Sequence, residues 1–121
     1  MPAQKQSLGR WGEEVAAQYL TSLGYEILER NVRTEYGELD LVTRQGAQLV
    51  FVEVKARSSA DFGEPEEAVT PAKQQHLLDA AESYLQAHPE FEGDWHVDVI
   101  AVRRLKGRNP EIVHFENALN R

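Results

Sequence analysis

The chain has 121 residues and a formal net charge of −7, with 41% hydrophobic and 27% charged residues. This length fits one domain spanning residues 1–121, and the composition is that of a folded, water-soluble protein. The chain contains no cysteine, which excludes disulfides and thiolate chemistry, and no stretch approaches the roughly 18 apolar residues of a membrane span. We therefore expect a cytoplasmic protein that does not associate with membranes.

The first predicted element is an amphipathic helix over residues 7–23, which Gly24 ends. Its apolar stripe consists of Leu8, Trp11, Val15, Ala16, Tyr19, Leu20 and Leu23. Gly12 lies near the middle of this stripe and Glu13 on its flank, whereas Glu14 points away from it. A glycine there would let the helix approach a sheet closely, and this approach would bring Glu13 to the sheet.

Three strands are predicted next. Residues 25–32 form the first, and the segment GELDLVTRQGAQLVFVEVKAR, residues 37–57, forms two more around a turn. An acidic loop over residues 61–67 follows.

The second half of the chain predicts one helix and two strands. Thr70 as N-cap and Pro71 at the first helical position open a helix that runs to residue 87. Residues 95–102 predict a buried strand, and residues 112–115 predict a short last strand. The fold class is therefore α/β: an αβββαβ core with a mixed central sheet flanked by helices, in which a helical crossover joins the third and fourth strands.

Charged residues interrupt the apolar runs of the second and third strands. Strand alternation predicts Val50, Val52 and Val54 on one face of the third strand, and Glu53 and Lys55 on the other. In the second strand the same rule predicts that Leu39 and Leu41 share one face and that Glu38, Asp40 and Val42 share the opposite face.

The length of the turn decides whether Asp40 and Glu53 meet. A four-residue connection at residues 45–48 places Leu41 near Val52 and Asp40 near Glu53. A two-residue turn is expected to make the two carboxylates diagonal neighbours, and only an odd-length loop would separate them.

Two facing carboxylates repel each other, so a compensating cation is expected. Mg²⁺, with Mn²⁺ as an alternative, binds one or two carboxylates together with waters and phosphate oxygens. Lys55 would lie about 7 Å from Glu53 along the same face, where its ammonium could hold an attacking water or a phosphate. Glu13 is the candidate for a third carboxylate. Taken alone, Glu13 is better explained as a solvated helix residue, and Asp40 could equally be a solvated strand end.

The remaining polar residues carry weaker signals. His76, His88, His96 and His114 have no metal-binding spacing, so we expect each to be structural or exposed. Asp98, inside a buried strand, is either a hydrogen-bonded structural residue or a neighbour of the site, and the first interpretation is favoured.

The sequence resembles a known family. The segments GEEVAAQYLTSLGYEILERNVRTEYGELDLVTR, LVFVEVKARSSADFGEPEEAVTPAKQQHLLDAAESYL and HVDVIAV resemble the bacterial YraN family. That family is similar in turn to the restriction-endonuclease-like PD-(D/E)xK nucleases, particularly archaeal Holliday junction resolvases. The resemblance implies that Asp40 is the first acid, that Glu53-Val54-Lys55 is the ExK element, and that Glu13 is the helical glutamate. It implies a Mg²⁺-dependent phosphodiesterase acting on DNA, and it is compatible with a homodimer acting on branched substrates.

On this basis Asp40, Glu53 and the Val54 carbonyl are expected to bind the metal ion. Lys55 would position the nucleophile, and Glu13 would support metal or water. The residues expected to contact nucleic acid are Arg33, Arg57, Lys73 and Gln74. The alternative function is a catalytically silent module for binding nucleic acid or protein, which would need no divalent ion. The charge of −7 predicts weak DNA binding at physiological salt in either case.

Overall fold

The structure is a computed structural model, and the residues that it describes are 7–58 and 69–119. Its elements are α1 (Leu8–Ser22), β1 (Glu26–Thr34), β2 (Gly37–Gln45), β3 (Gln48–Ser58), α2 (Pro71–Ala87), β4 (Trp95–Arg104) and β5 (Glu111–Leu119). This order confirms the predicted αβββαβ core followed by one more strand. The predicted acidic loop at residues 61–67 lies outside the described residues.

The five strands form one mixed sheet in the order β1-β2-β3-β4-β5. Strands β3 and β4 are parallel, and the other neighbours are antiparallel. The parallel pair is joined through α2, which confirms the predicted helical crossover. One hydrophobic cluster lies under α1 and a second under α2, so the helices cover opposite faces of the sheet.

The alternation in β3 is as predicted. Val50, Val52 and Val54 pack in the cluster under α1, whereas Leu49 and Phe51 pack in the cluster under α2. Because alternate residues point to opposite faces, Glu53 belongs to the α2 side of the sheet.

The alternation predicted for β2 is wrong between Leu39 and Leu41. Leu41 packs in the cluster under α1, but Leu39 packs with Val42 in the cluster under α2. The regular pleat is interrupted at Asp40, whose carboxylate turns toward the neighbouring strand. Across from it in β1, Asn31 has a positive φ of 53°, so both strands depart from regular geometry at the same level.

The connection between β2 and β3 is shorter than the predicted four residues. Gln45 already pairs with Gln48, so the turn consists of Gly46, with φ at 61°, and Ala47. The register is nevertheless the predicted one, with Leu41 opposite Val52. A two-residue turn therefore does not shift the carboxylates into a diagonal relation, because the ladder extends by one pair without changing register.

The helix ends follow the sequence signals closely. The Ser7 hydroxyl accepts the Arg10 N–H at 3.2 Å, and the Thr70 hydroxyl accepts the Lys73 N–H at 3.3 Å. At the other end of α1, Leu23 lies beyond the last helical turn and is 53% exposed, so its place in the apolar stripe was predicted wrongly. Strand β5 is longer than the predicted 112–115.

Candidate active site

Strands β2 and β3 separate at Asp40. They pair from the turn as far as Leu41 and Val52, and beyond that level β3 continues beside β4 alone. We call this point the fork. The Asp40 carboxylate occupies it, and its Oδ2 accepts the backbone N–H of Val54 at 2.8 Å. A side chain thus takes the place of a ladder hydrogen bond, which holds the carboxylate at one position.

The Val54 carbonyl opens toward the same side. In a strand, the N–H and C=O of one residue face the same neighbour, so the carbonyl of Val54 also faces the fork. The backbone direction of β3 is therefore compatible with the prediction that the Val54 carbonyl binds a metal ion together with Asp40.

Glu53 and Asp40 lie next to each other at the fork, as their register predicts. Glu53 is 5% exposed, and its carboxylate lies close enough to act on the ionisation of Asp40. Burial raises the pKa of Asp40 to about 7, and the charge of Glu53 adds to this effect. With a pKa near 7, Asp40 is partly protonated at neutral pH.

Two lysines contact the same oxygen of Glu53. Lys73 Nζ is 3.1 Å from Glu53 Oε1, and Lys55 Nζ is 3.3 Å from it. Burial and the neighbouring Lys73 lower the pKa of Lys55. Burial also disfavours charge on Lys73, but its hydrogen bonds and the Glu53 charge outweigh this, so the pKa of Lys73 is raised.

Helix α1 brings Glu13 to the fork through a close contact at Gly12. A Cβ added at Gly12 would lie 2.6 Å from the Cβ of Ala56, so only glycine permits this approach to β3. One carboxylate oxygen each from Glu13, Glu38 and Asp40 lies within 4.8 Å of the others. We call these three residues the acidic cluster.

Asn31 connects two members of the acidic cluster. With its amide oriented to suit its neighbours, it donates to Glu13 Oε1 at 2.9 Å and to Glu38 Oε1 at 3.0 Å. Burial raises the pKa of Glu13 and the charge of Glu38 adds to it, while the Asn31 amide acts in the opposite direction.

Neither Glu38 nor Asn31 was predicted as a site residue from the sequence. Glu38 could have been found, because it is two residues before Asp40 in GELD and was predicted on the same face. For Asn31 the only local signal is that asparagine tolerates the left-handed backbone better than most residues.

A cleft of about 470 Å³ lies between the fork and α2. Glu38, Asp40 and Glu53 line it from the sheet, and Lys73 and His76 line it from α2. Acidic oxygens and an ammonium group therefore face one open space. This arrangement suits a ligand that carries a cation and an anion together, such as a metal-bound phosphate.

The predicted nucleic-acid contacts are not all in this cleft. Lys73 lines it, but the Gln74 amide donates to the Val69 carbonyl at 3.2 Å and lies outside it. Arg33 is exposed on β1, across from Glu38. Arg57 is half-buried on β3 and lines a small hollow together with Lys55 and Arg103.

Asp98 is a buried structural residue, as favoured from the sequence. Its side chain is fully buried; Oδ2 is 2.7 Å from His114 Nε2, and Oδ1 accepts the Asn117 N–H at 2.8 Å. His96 Nε2 lies 3.2 Å from Oδ1. His96 and His114 thus have the structural role predicted for them, on a different part of the sheet from the cleft.

Comparison with known proteins gives the family. Residues 12–102 match the model of the family described as Uncharacterised protein family UPF0102. The chain belongs to UPF0102. A UPF0102 protein of Syntrophomonas wolfei is 52% identical over 92% of this chain and 96% of the relative. One from Syntrophotalea carbinolica is 48% identical over 99% of this chain and 97% of the relative. These matches confirm the resemblance to the YraN family.

The UPF0102 match includes the whole candidate site. Residues 12–102 contain the acidic cluster, Glu53 and both lysines, and they leave out β5. Neither α1 nor α2 is long and apolar enough to cross a membrane.

Proposed function

We propose that this UPF0102 protein is a divalent-metal-dependent nuclease that hydrolyses phosphodiester bonds in DNA. The proposal rests above all on the fork, where Asp40 and Glu53 are neighbours and Lys55 contacts Glu53 from the same strand. In a sheet, crowding of two carboxylates costs stability unless a cation or a proton compensates it.

The donor set fits Mg²⁺ or Mn²⁺. The ligands gathered at the fork are oxygens: the carboxylates of Asp40 and Glu53, those of Glu13 and Glu38, and the Val54 carbonyl. Hard divalent ions prefer such oxygens, and Mg²⁺ keeps several waters besides one or two carboxylates. When bound, the ion would polarise the scissile phosphate and lower the pKa of a bound water.

The protein's own residues would supply positioning and charge. The Val54 N–H holds Asp40, and the close approach at Gly12 holds Glu13, so neither carboxylate has to be ordered when a substrate arrives. The Lys55 ammonium lies 3.3 Å from Glu53 Oε1. From there it would hold the attacking water, or offset the negative charge that develops on the phosphate.

A cleavage assay tests the proposal. Purified protein is incubated with linear DNA, with DNA that carries a flap, a replication-type branch or a four-way junction, and with a single-stranded RNA, in Mg²⁺ or Mn²⁺. We expect metal-dependent cleavage of at least one DNA substrate, loss of cleavage in Asp40→Asn, and loss in Lys55→Ala with divalent binding retained. The RNA arm decides the nucleic-acid class. An Asp40→Asn preparation that cleaves like the parent would show that the activity comes from a contaminant or another site.

The second candidate is a nucleic-acid or protein-binding module without catalysis. One observation favours it: Lys55 and Lys73 already pair with Glu53, so that carboxylate is compensated without an ion. Divalent binding separates the two functions. A module of this kind would show no Mn²⁺ binding that depends on Asp40 and Glu53, whereas the nuclease requires it.

The cellular setting and assembly belong to the same proposal. The relatives come from bacteria. We propose that the protein acts in the cytoplasm, because that compartment holds the bacterial DNA. A four-way junction carries symmetric cleavage positions, which a two-fold homodimer would match. Light scattering with and without junction DNA measures the assembly state.

A further inference from the structure

Lys73 and Lys55 share one atom of Glu53 but come from different elements. Lys55 projects from β3, whereas Lys73 projects from the first turn of α2. Their ammonium groups lie 3.3 Å and 3.1 Å from the same Oε1. A divalent ion bound by Glu53 from the cleft would have to share this oxygen with two positive charges.

The two lysines differ in their access to the cleft. Lys73 lines the cleft together with Glu38 and Asp40, and its side chain is 40% exposed. The Lys55 side chain is 24% exposed and lines the separate hollow beside Arg57. Lys73 is therefore the lysine that an entering ion meets.

Lys73 can also move without disturbing the fold. Its backbone N–H is held by the Thr70 cap, but its ammonium is carried by a flexible four-carbon stem and its charge pairs only with Glu53 among the acids of the described residues. Swinging the ammonium away from Glu53 would keep it at the wall of the cleft.

We propose that Lys73 is an exchangeable counter-ion of the active site. It neutralises Glu53 while no divalent ion is bound, yields Oε1 to the ion, and then contacts a phosphate oxygen of the nucleic acid in the cleft. The inference deepens the proposed function and rests on it. Its consequence is coupling, because an ion that displaces Lys73 from Glu53 prepares Lys73 for phosphate, and phosphate in turn favours the ion.

The first measurement is Mn²⁺ affinity by calorimetric titration of the parent, Lys73→Met, Lys73→Arg and Lys106→Met. Lys106 is an exposed lysine in the turn between β4 and β5, so its replacement matches the change in net charge. We expect Lys73→Met to bind Mn²⁺ about tenfold more tightly than the parent, within the usual range of coupling between sites. Lys73→Arg and Lys106→Met should bind it like the parent.

The second measurement uses thymidine 5′-monophosphate, which carries a phosphate ester but no phosphodiester bond to cleave. In the parent and in Lys106→Met, Mn²⁺ should raise the affinity for this nucleotide, and in Lys73→Met this increase should be lost. A residue that merely supports the fold would weaken Mn²⁺ binding when replaced, so tighter binding is the distinguishing sign. Thermal unfolding of each variant verifies that it is folded.

The outcomes separate this inference from the proposed function. If the parent binds Mn²⁺ and Lys73→Met binds it equally or more weakly, Lys73 is not a competing counter-ion, while the metal site stands. If neither the parent nor any variant binds Mn²⁺, the metal site and the counter-ion role both fail.

Discussion

At the residue scale, Asp40 carries the clearest electrostatic signature. Its folded-state pKa of about 7 lies above its ordinary value of 3.8, so the folded protein keeps a proton that the unfolded chain has already lost. The free energy of unfolding therefore falls as pH rises through the window between these two values. Above pH 7 the full cost of burying a charged Asp40 beside Glu53 is present.

Asp40→Asn should remove this cost while keeping the acceptor for the Val54 N–H. Without metal at pH 8, we expect the free energy of unfolding of the variant to exceed that of the parent by an amount on the order of 2 kcal/mol. This difference should disappear near pH 4. Mn²⁺ should raise the melting temperature of the parent, because it binds only the folded state, and should leave the variant unchanged.

Asp94→Asn is the matched control, since Asp94 is exposed and lies in the loop before β4. It should change neither the pH dependence nor the response to Mn²⁺. If Asp40→Asn and Asp94→Asn gave parallel pH profiles of stability, the carboxyl pair at the fork would not be the source of strain. Denaturant unfolding at several pH values measures this.

At the element scale, the site depends on how α1 meets β3. The helix carries Glu13, but the distance between helix and sheet is set one residue earlier, where Gly12 faces Ala56. The exposed pair of Glu14 with Arg30 lies outside this contact, and such a surface pair contributes little to stability.

Gly12→Ala should therefore destabilise the protein although alanine is the better helix former. The added Cβ would lie 2.6 Å from Ala56 Cβ, and neither atom can move without its backbone. Overpacking of this kind costs about 1–3 kcal/mol, against a helix-propensity gain of up to about 1 kcal/mol. We expect a net loss on the order of 1 kcal/mol, together with weaker Mn²⁺ binding, because Glu13 moves away from Asp40.

Gly9→Ala supplies the comparison within the same helix. A Cβ at Gly9 has no heavy atom within 4 Å, so the variant should be as stable as the parent or slightly more stable. Chemical denaturation of both variants decides the point: equal stability of Gly9→Ala and Gly12→Ala would mean that the helix approach is not limiting.

The same elements show how far a sequence reaches. The Thr70 cap, the order of helices and strands along the chain, and the register of Leu41 against Val52 follow from local chemistry and periodicity, and all three were predicted. The exchange of faces at Leu39 could not be predicted from the sequence. It arises because the Asp40 side chain replaces a backbone acceptor across the strands. The pairing of Lys73 with Glu53 was missed for a similar reason. It depends on the position of α2 over the sheet, which no periodicity in residues 71–87 specifies.

At the scale of the whole molecule, the net charge of −7 opposes binding to DNA. The basic residues near the fork are arranged to offset it locally. Arg57 and Arg103 are partners in the register of β3 and β4, on the same sheet face as Lys55, while Arg33 lies on the other side of the fork in β1. A DNA backbone crossing the cleft would meet positive charge on both sides of the acidic residues.

This arrangement makes the salt dependence of binding the most informative property of the molecule. Each phosphate contact that is lost should reduce the slope of log affinity against log salt by about one unit on duplex DNA. The double variant Arg33→Ala/Arg57→Ala should therefore bind every duplex sequence more weakly and flatten the slope by about two units.

Arg44→Ala is the control, because Arg44 pairs with Glu26 near the turn end of β2, away from the fork. Fluorescence anisotropy across a salt series, with metal chelated to prevent cleavage, measures all three proteins. A double variant whose slope equals that of the parent would move the DNA to another surface, whereas equal flattening by Arg44→Ala would reduce the effect to overall charge.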